Sequence, residues 1–109
     1  GAPVGFSSET VTTAATLSNT TTISFVQGAA TILGDGTVDG QLKIVAATNV
    51  GTTADVDFTD SAGTTATVTF QAVGESVSCI WNGATSAWTI IAYGATGTGT
   101  NIVGSQDAT

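Results

Sequence analysis

The chain has 109 residues, which is enough for one domain with a single hydrophobic core and too few for two. Its formal net charge is −7 and Lys43 is its only basic residue, so binding to nucleic acid or to an anionic membrane surface is strongly disfavoured. Only 8% of the residues are charged, which is low for a small monomer and favours a surface partly covered by other copies.

The remaining composition predicts an all-β protein. Thr and Val favour strands, the 14 Gly residues supply turns, and Met is absent. We expect a single antiparallel β-sandwich or barrel-like domain of about seven short strands. It spans residues 21–94, between an extended N-terminal arm (1–20) and a Gly/Thr-rich C-terminal arm (95–109).

The first predicted elements follow one another closely. The arm contains a short strand near Val11, and "TTISFV" (21–26) alternates, with Ile23 and Phe25 on one face. A second short strand, "ATIL" (30–33), leads into Asp-Gly turn chemistry. In this turn region Asp39, Gly40 and Gln41 are expected to open the next strand.

The middle of the chain continues the alternation. In "QLKIVAAT" (41–48), Leu42 and Ile44 share one face, and Lys43 and Val45 share the other. "ADVDFTD" (54–60) and "TATVTFQAV" (65–73) place apolar side chains inward and Asp or Thr outward. The 65–73 stretch is the most regular of these strands.

Residues 75–94, "ESVSCIWNGATSAWTIIAYG", hold both tryptophans, the only tyrosine and the only cysteine. Pairing Trp81 with Trp88 in a hairpin makes one face entirely apolar, and Asn82 and Gly83 begin its turn. The predicted core residues of this hairpin are Val77, Cys79, Trp81, Trp88, Ile90 and Ala92. This register favours a packed core over a sugar-stacking platform.

The opposite face of the hairpin is half apolar and is the candidate subunit interface. It is predicted to contain Ile80, Ile91 and Tyr93, with Val45 on a neighbouring strand. Such a face needs a cover, from the chain's own arms or from another subunit. We favour other copies of the chain in a closed ring.

No motif in the sequence predicts catalysis or a cofactor. The chain has no His and no Arg, and its single Cys79 can form neither a disulfide within the chain nor a thiolate zinc site. Asp55 and Asp57, about 7 Å apart on one strand face, are formally compatible with glycoside hydrolysis, and "DVDFTD" offers oxygens for Ca²⁺. A solvated acidic edge that protects the strand against aggregation is the preferred interpretation, so no catalytic residue, metal site or cofactor is predicted.

Two stretches carry a resemblance to a known class of protein. "TILGDGTVDGQLKIVAA" (31–47) and "TATVTFQAVGESVSCIWNGATSAWTIIAYG" (65–94) resemble a small β module of bacteriophage virion proteins, such as those of marine and cyanobacterial phages. The module occurs in capsid decoration or cement proteins and in head or tail fibres. The resemblance implies turn roles for Asp39, Gly40 and Gln41, a capping role for Glu75, and core roles for both tryptophans.

The resemblance implies a structural function. We expect a non-enzymatic capsid decoration or cement protein, located in the virion after assembly in the host cytoplasm. Its expected partners are other copies of itself and the major capsid protein or another virion protein. Two alternatives stay open: a trimeric fibre module that binds a host receptor or glycan, and a cell-surface adhesin or carbohydrate-binding module.

Overall fold

A computed structural model describes residues 5–51, 54–59 and 63–94 in full, together with the backbone of residues 101–103. In these residues the chain is all-β, with ten strands and no helix. The strands are β1 (Ser8–Val11), β2 (Ala15–Thr16), β3 (Ile23–Gln27), β4 (Ala30–Ile32), β5 (Leu42–Asn49), β6 (Asp55–Thr59), β7 (Thr65–Thr69), β8 (Ser76–Asn82), β9 (Ala87–Gly94) and β10 (Asn101–Val103).

The strands form two five-stranded sheets. Sheet A has the order β1-β3-β5-β8-β9, and sheet B has the order β10-β7-β6-β4-β2. From β1 to β6, successive strands alternate between the two sheets. The chain therefore crosses from one sheet to the other five times before its first antiparallel hairpin, which joins β6 and β7.

Both sheets are mixed, so the prediction of an antiparallel domain was wrong in this respect. β1, β3 and β5 run parallel in sheet A, and β2, β4 and β6 run parallel in sheet B. The remaining pairs are antiparallel. The sequence prediction assumed that short links reverse the chain as hairpins, whereas here they carry it across to the other sheet.

Glycines form these corners between the sheets. Only Gly28 and Ala29 separate β3 from β4, and Gly28 has a φ of 61°. Its amide donates to the Asn49 carbonyl at 2.6 Å, and it lies against Gly51, which has a φ of 51° and follows β5 on the way to β6. Because L side chains rarely adopt this conformation, glycine at both positions lets the two corners stack closely.

The hydrophobic core lies between the sheets. Sheet B contributes the inward side chains of β6 and β7, as alternation predicted. Sheet A contributes the inward side chains of β3, β5 and the β8–β9 hairpin. The fully buried side chains of the core include Val26, Val45, Val56, Ala66, Val68, Val77, Cys79 and Trp88.

The structure shows which faces of β3 and β5 are inside. Ser24 and Val26 of β3 are buried, while Ile23 and Phe25 lie half-buried on the outer face. In β5, Lys43, Val45 and Ala47 are buried, and Leu42, Ile44 and Ala46 face outward. Alternation separates two faces of a strand but does not say which one is inside, and here the more polar face is inside.

The segment predicted as an N-terminal arm contributes strands to both sheets. β1 contains the predicted strand near Val11 and pairs with β3, and β2 pairs with β4. In the predicted C-terminal arm, the backbone of β10 pairs with β7. The rest of that arm, like residues 1–4, lies outside the described residues.

Candidate interaction surface

The β8–β9 hairpin packs both tryptophans into the core. Trp81 lies opposite Trp88, with ring centroids 5.3 Å apart and an interplanar angle of 64°, an edge-to-face contact. Trp88 is fully buried and its Nε1 donates to the Gly34 carbonyl at 2.9 Å, while Trp81 is 6% exposed. Neither ring is available for a sugar to stack on.

A β-bulge changes the face of the last residues of this hairpin. The pairing Trp81–Trp88 and Cys79–Ile90 matches the prediction, but Ile91 is then an extra residue in β9. Beyond it, Ala92 lies opposite Ser78 on the outer face and Tyr93 lies opposite Val77 on the core side. The predicted places of Ala92 in the core and of Tyr93 in the interface were therefore wrong.

The two predicted turns meet in space, 44 residues apart in sequence. Asp39 Oδ1 accepts the Gly83 amide at 2.9 Å, and Gly40 with a φ of 82° donates its amide to the Trp81 carbonyl. The side chains of Gln41 and Asn82 accept amide hydrogens within their own turns. These five residues thus close one end of the hairpin.

Glu75 closes the turn that precedes the hairpin. Its side chain is fully buried, and Oε1 accepts the Gln71 amide at 2.8 Å. The turn also uses Gly74, whose φ is 96°. This geometry is a cap of the kind that the resemblance implies for Glu75.

A buried polar cluster fastens the N-terminal residues to sheet A. The Lys43 side chain is fully buried, and its Nζ donates to the carbonyls of Ser18 at 2.8 Å and Thr21 at 2.9 Å. Glu9 Oε2 lies 3.9 Å from the same Nζ and accepts hydrogen bonds from Ser24 Oγ and the Ser18 amide. Sequence reasoning missed this cluster, since its acceptors are backbone groups far from Lys43 in the chain.

The cluster shifts the pKa values of both charged groups. Burial lowers the pKa of Lys43, and the Glu9 carboxylate only partly offsets it. For Glu9, burial raises the pKa, but the bonds from Ser24 and Ser18 together with the Lys43 charge outweigh it and the net shift is downward. The role of both groups is structural, because their hydrogen bonds hold the segment around Ser18 and Thr21 in place.

The outer face of sheet A carries a diagonal row of large apolar side chains. Cross-strand pairs in this row are Ile23 with Ile44 and Leu42 with Ile80. We call the row the ridge, and its members from β3 to β9 are Phe25, Ile23, Ile44, Leu42, Ile80 and Ile91. Ile91 is 55% exposed and the other five are half-buried.

Small side chains lie beside the ridge on the same face. Ala46 pairs with Ser76, and Ser78 pairs with Ala92. We call these four residues the shelf. Of the predicted interface residues, Ile80 and Ile91 lie on this face, but Val45 was wrong because it is fully buried opposite Val77 in the core.

The outer face of sheet B has the opposite character. β6 presents Asp55, Asp57 and Thr59 there, and β7 presents the Thr side chains of its alternating pattern. Among the described side chains of this sheet, Ile32 of β4 is the large apolar one that is exposed on this face, at 53%. The sandwich therefore has one apolar and one acidic, Thr-rich outer face.

Asp55 and Asp57 are placed for a structural rather than an edge role. β6 is the central strand of sheet B, so its acids do not protect a sheet edge. Asp57 Oδ1 accepts the Thr67 hydroxyl at 2.6 Å. Burial and the neighbouring Asp57 charge raise the pKa of Asp55, although a hydrogen bond from the Thr31 backbone works against this shift.

Cys79 offers no reactive thiol. Its side chain is fully buried in the hairpin core, and this burial raises the pKa of the thiol to about 12. The thiolate, which is the reactive form, is therefore scarce at neutral pH.

An open groove of about 420 Å³ lies at the hairpin end of the ridge. It is lined by Asp39, Gly40, Ile80, Trp81, Asn82, Thr89 and Ile91. Its walls are mainly apolar, and Oδ1 of both Asp39 and Asn82 already accepts a backbone amide. The groove is continuous with the ridge through Ile80 and Ile91.

Comparison with known proteins does not assign the chain to a family. No protein-family model matches the sequence, and no curated protein matches it either. Within the residues that the structure describes, no group of three or more metal-ligating side chains is placed to hold an ion. No helix in that part of the chain is long and apolar enough to cross a membrane.

Proposed function

We propose that this protein is a non-enzymatic structural component of a bacteriophage virion, a decoration or cement protein of the head. The observation that carries the proposal is the contrast between the two outer faces. An apolar, uncharged sheet face requires a protein cover, and an acidic, Thr-rich face suits solvent. A module with one face of each kind is suited to assembly on a larger particle.

The proposed partners follow from the same contrast. Other copies of the chain cover the outer face of sheet A, in a homotrimer, and the assembled module attaches to the major capsid protein or another head protein. Assembly in the host cytoplasm and residence in the virion belong to this proposal. The resemblance of residues 31–47 and 65–94 to virion modules supports it.

Binding to capsids tests the function directly. Purified protein is mixed with heads of the phage that encodes it, prepared without this protein, and the heads are sedimented. We expect saturable binding in many copies per head and a higher temperature of capsid rupture. Absence of the chain from complete virions, or no binding to the heads, would overturn the proposal.

A trimeric fibre module that binds host glycans is the second candidate, and the groove beside Trp81 favours it. Glycan binding in the groove would change the tryptophan emission, since Trp81 forms part of its wall. Titration with a panel of bacterial surface glycans measures this effect. A saturable shift in emission that is lost in Ile91→Ser would favour the fibre or adhesin function over decoration.

A further inference from the structure

We propose that the outer face of sheet A binds a second copy of this chain, with the ridge of one copy resting on the shelf of the next. The proposal deepens the proposed function, on which it rests, by naming the side chains through which two copies meet. Three observations support it: the distribution of charge, the shape of the face, and the absence of a covering strand among the described residues.

Charge favours a second copy as the occupant. No Asp, Glu or Lys side chain lies among the ridge and shelf residues, although the chain carries a net charge of −7. The described acids lie in the turns, on the outer face of sheet B or in the buried clusters. Two copies can therefore bring these faces together without burying like charges.

The shape of the outer face of sheet A fits the same face of a second copy. The large side chains of the ridge stand along one diagonal, and the four small residues of the shelf fill the neighbouring corner of β5, β8 and β9. A ridge placed on the shelf of another copy fills the space above Ala46, Ser76, Ser78 and Ala92. Such interdigitation of large and small side chains is how sheet faces pack at close distance.

The fold provides no strand to cover this face. All ten described strands belong to sheets A and B, and sheet B covers only the inner side of sheet A. From the spacing between strands and the rise per residue, three rows of side chains across the five strands of sheet A cover roughly 400 Å² of its outer face. Because a standard interface buries about 800 Å² per partner, we expect reversible association that rises with concentration.

Molar mass by light scattering across a concentration series up to about 1 mM, together with sedimentation equilibrium, tests the inference. We expect wild-type protein to associate and Ile91→Ser to weaken the association constant at least about tenfold. The matched control is Ile32→Ser on the outer face of sheet B, since Ile32 is 53% exposed and Ile91 is 55% exposed. Equal effects of the two variants would overturn the proposal.

A shelf variant separates the proposed fit from general stickiness. Ser78→Leu adds apolar surface to the same face, so non-specific association would become stronger. In the proposed fit, by contrast, the larger side chain fills the shelf and blocks the ridge of the next copy. We therefore expect the association constant to fall by about tenfold or more. Cooperative urea unfolding of each variant confirms that it is folded, and stronger association of Ser78→Leu would contradict the fit.

The outcomes distinguish this inference from the proposed function. A wild-type chain that stays monomeric to about 1 mM but binds phage heads keeps the decoration function and overturns self-docking through sheet A. Association that depends on Ile91 without any binding to heads keeps self-docking and overturns the decoration function.

Discussion

Lys43 shows how a single charged side chain is accommodated inside the sandwich. It is the only cation of the chain, and its Nζ lies inside with three hydrogen bonds within 3.1 Å. A buried ammonium is tolerated when carbonyl oxygens and a carboxylate replace its water. Lys43 thereby ties the segment around Ser18 and Thr21 to β5.

Replacing Lys43 tests this anchoring role. We expect Lys43→Met to lower the free energy of unfolding by about 3 kcal/mol, because two partly buried carbonyls lose their donor and Glu9 loses its counter-ion. Urea unfolding followed by tryptophan fluorescence measures the change. Leu42→Met, one position away on the outer face, is the control and should change it by less than about 1 kcal/mol. Equal effects of the two substitutions would refute the anchoring role.

The raised pKa of Asp55 gives a second prediction at the residue scale. Burial and the Asp57 charge disfavour ionised Asp55, so Asp55→Asn should raise the melting temperature at pH 7. As the pH falls through the raised pKa of Asp55, above its ordinary value of 3.8, the wild-type carboxyl becomes neutral and the difference should close. Calorimetry at a series of pH values measures it, with Asp35→Asn in an exposed turn as the control. A lower melting temperature for Asp55→Asn at pH 7 would contradict the prediction.

At the scale of elements, the hairpin shows where sequence reasoning works and where it stops. Cross-strand matching predicted the Trp81–Trp88 and Cys79–Ile90 pairs, since apolar side chains favour one shared face. It could not predict the bulge at Ile91, because the gain comes from Tyr93 packing against the core next to Val77. That contact depends on the second sheet.

Because of the bulge, the two strands of the hairpin should differ in how well each tolerates the deletion of one residue. Removing Ile91 should leave a regular hairpin with Tyr93 still on the core side, and change the free energy of unfolding by less than about 1 kcal/mol. Removing Ser78 from the facing strand should prevent folding, because Val77 would turn away from the core. Urea unfolding of the two deletion variants measures this difference. Equal loss of stability in both would show that the bulge is required for the fold.

The whole molecule combines a winding N-terminal half with an antiparallel C-terminal half. Its two outer faces differ in charge and polarity although both are built from alternating strands. The ridge, on one outer face, includes Ile23, Phe25, Leu42 and Ile44, none of which belonged to the predicted interface. The candidate surface therefore extends beyond Ile80 and Ile91, the two members of the predicted interface that lie on it.

An uncharged interface between acidic copies predicts a particular salt dependence. Raising NaCl from about 0.02 M to 0.5 M should strengthen self-association several-fold, since salt screens the repulsion between chains and leaves apolar contacts intact. Sedimentation equilibrium at both salt concentrations measures this, with Ile91→Ser as the variant expected to associate weakly at each. Weaker association at high salt would indicate an electrostatic interface instead.

The sequence by itself determined that the protein is all-β, where most strands and turns lie, and which side chains share a face. These properties are local, since alternation, β propensity and Asp-Gly turns depend on neighbours in the chain. Only the tertiary structure decided which strands run parallel and which faces of β3 and β5 are inside. A period of two is the same for both faces of a strand, so the choice depends on contacts across the sandwich, such as those that bury Lys43 and Val45 and leave the ridge outside.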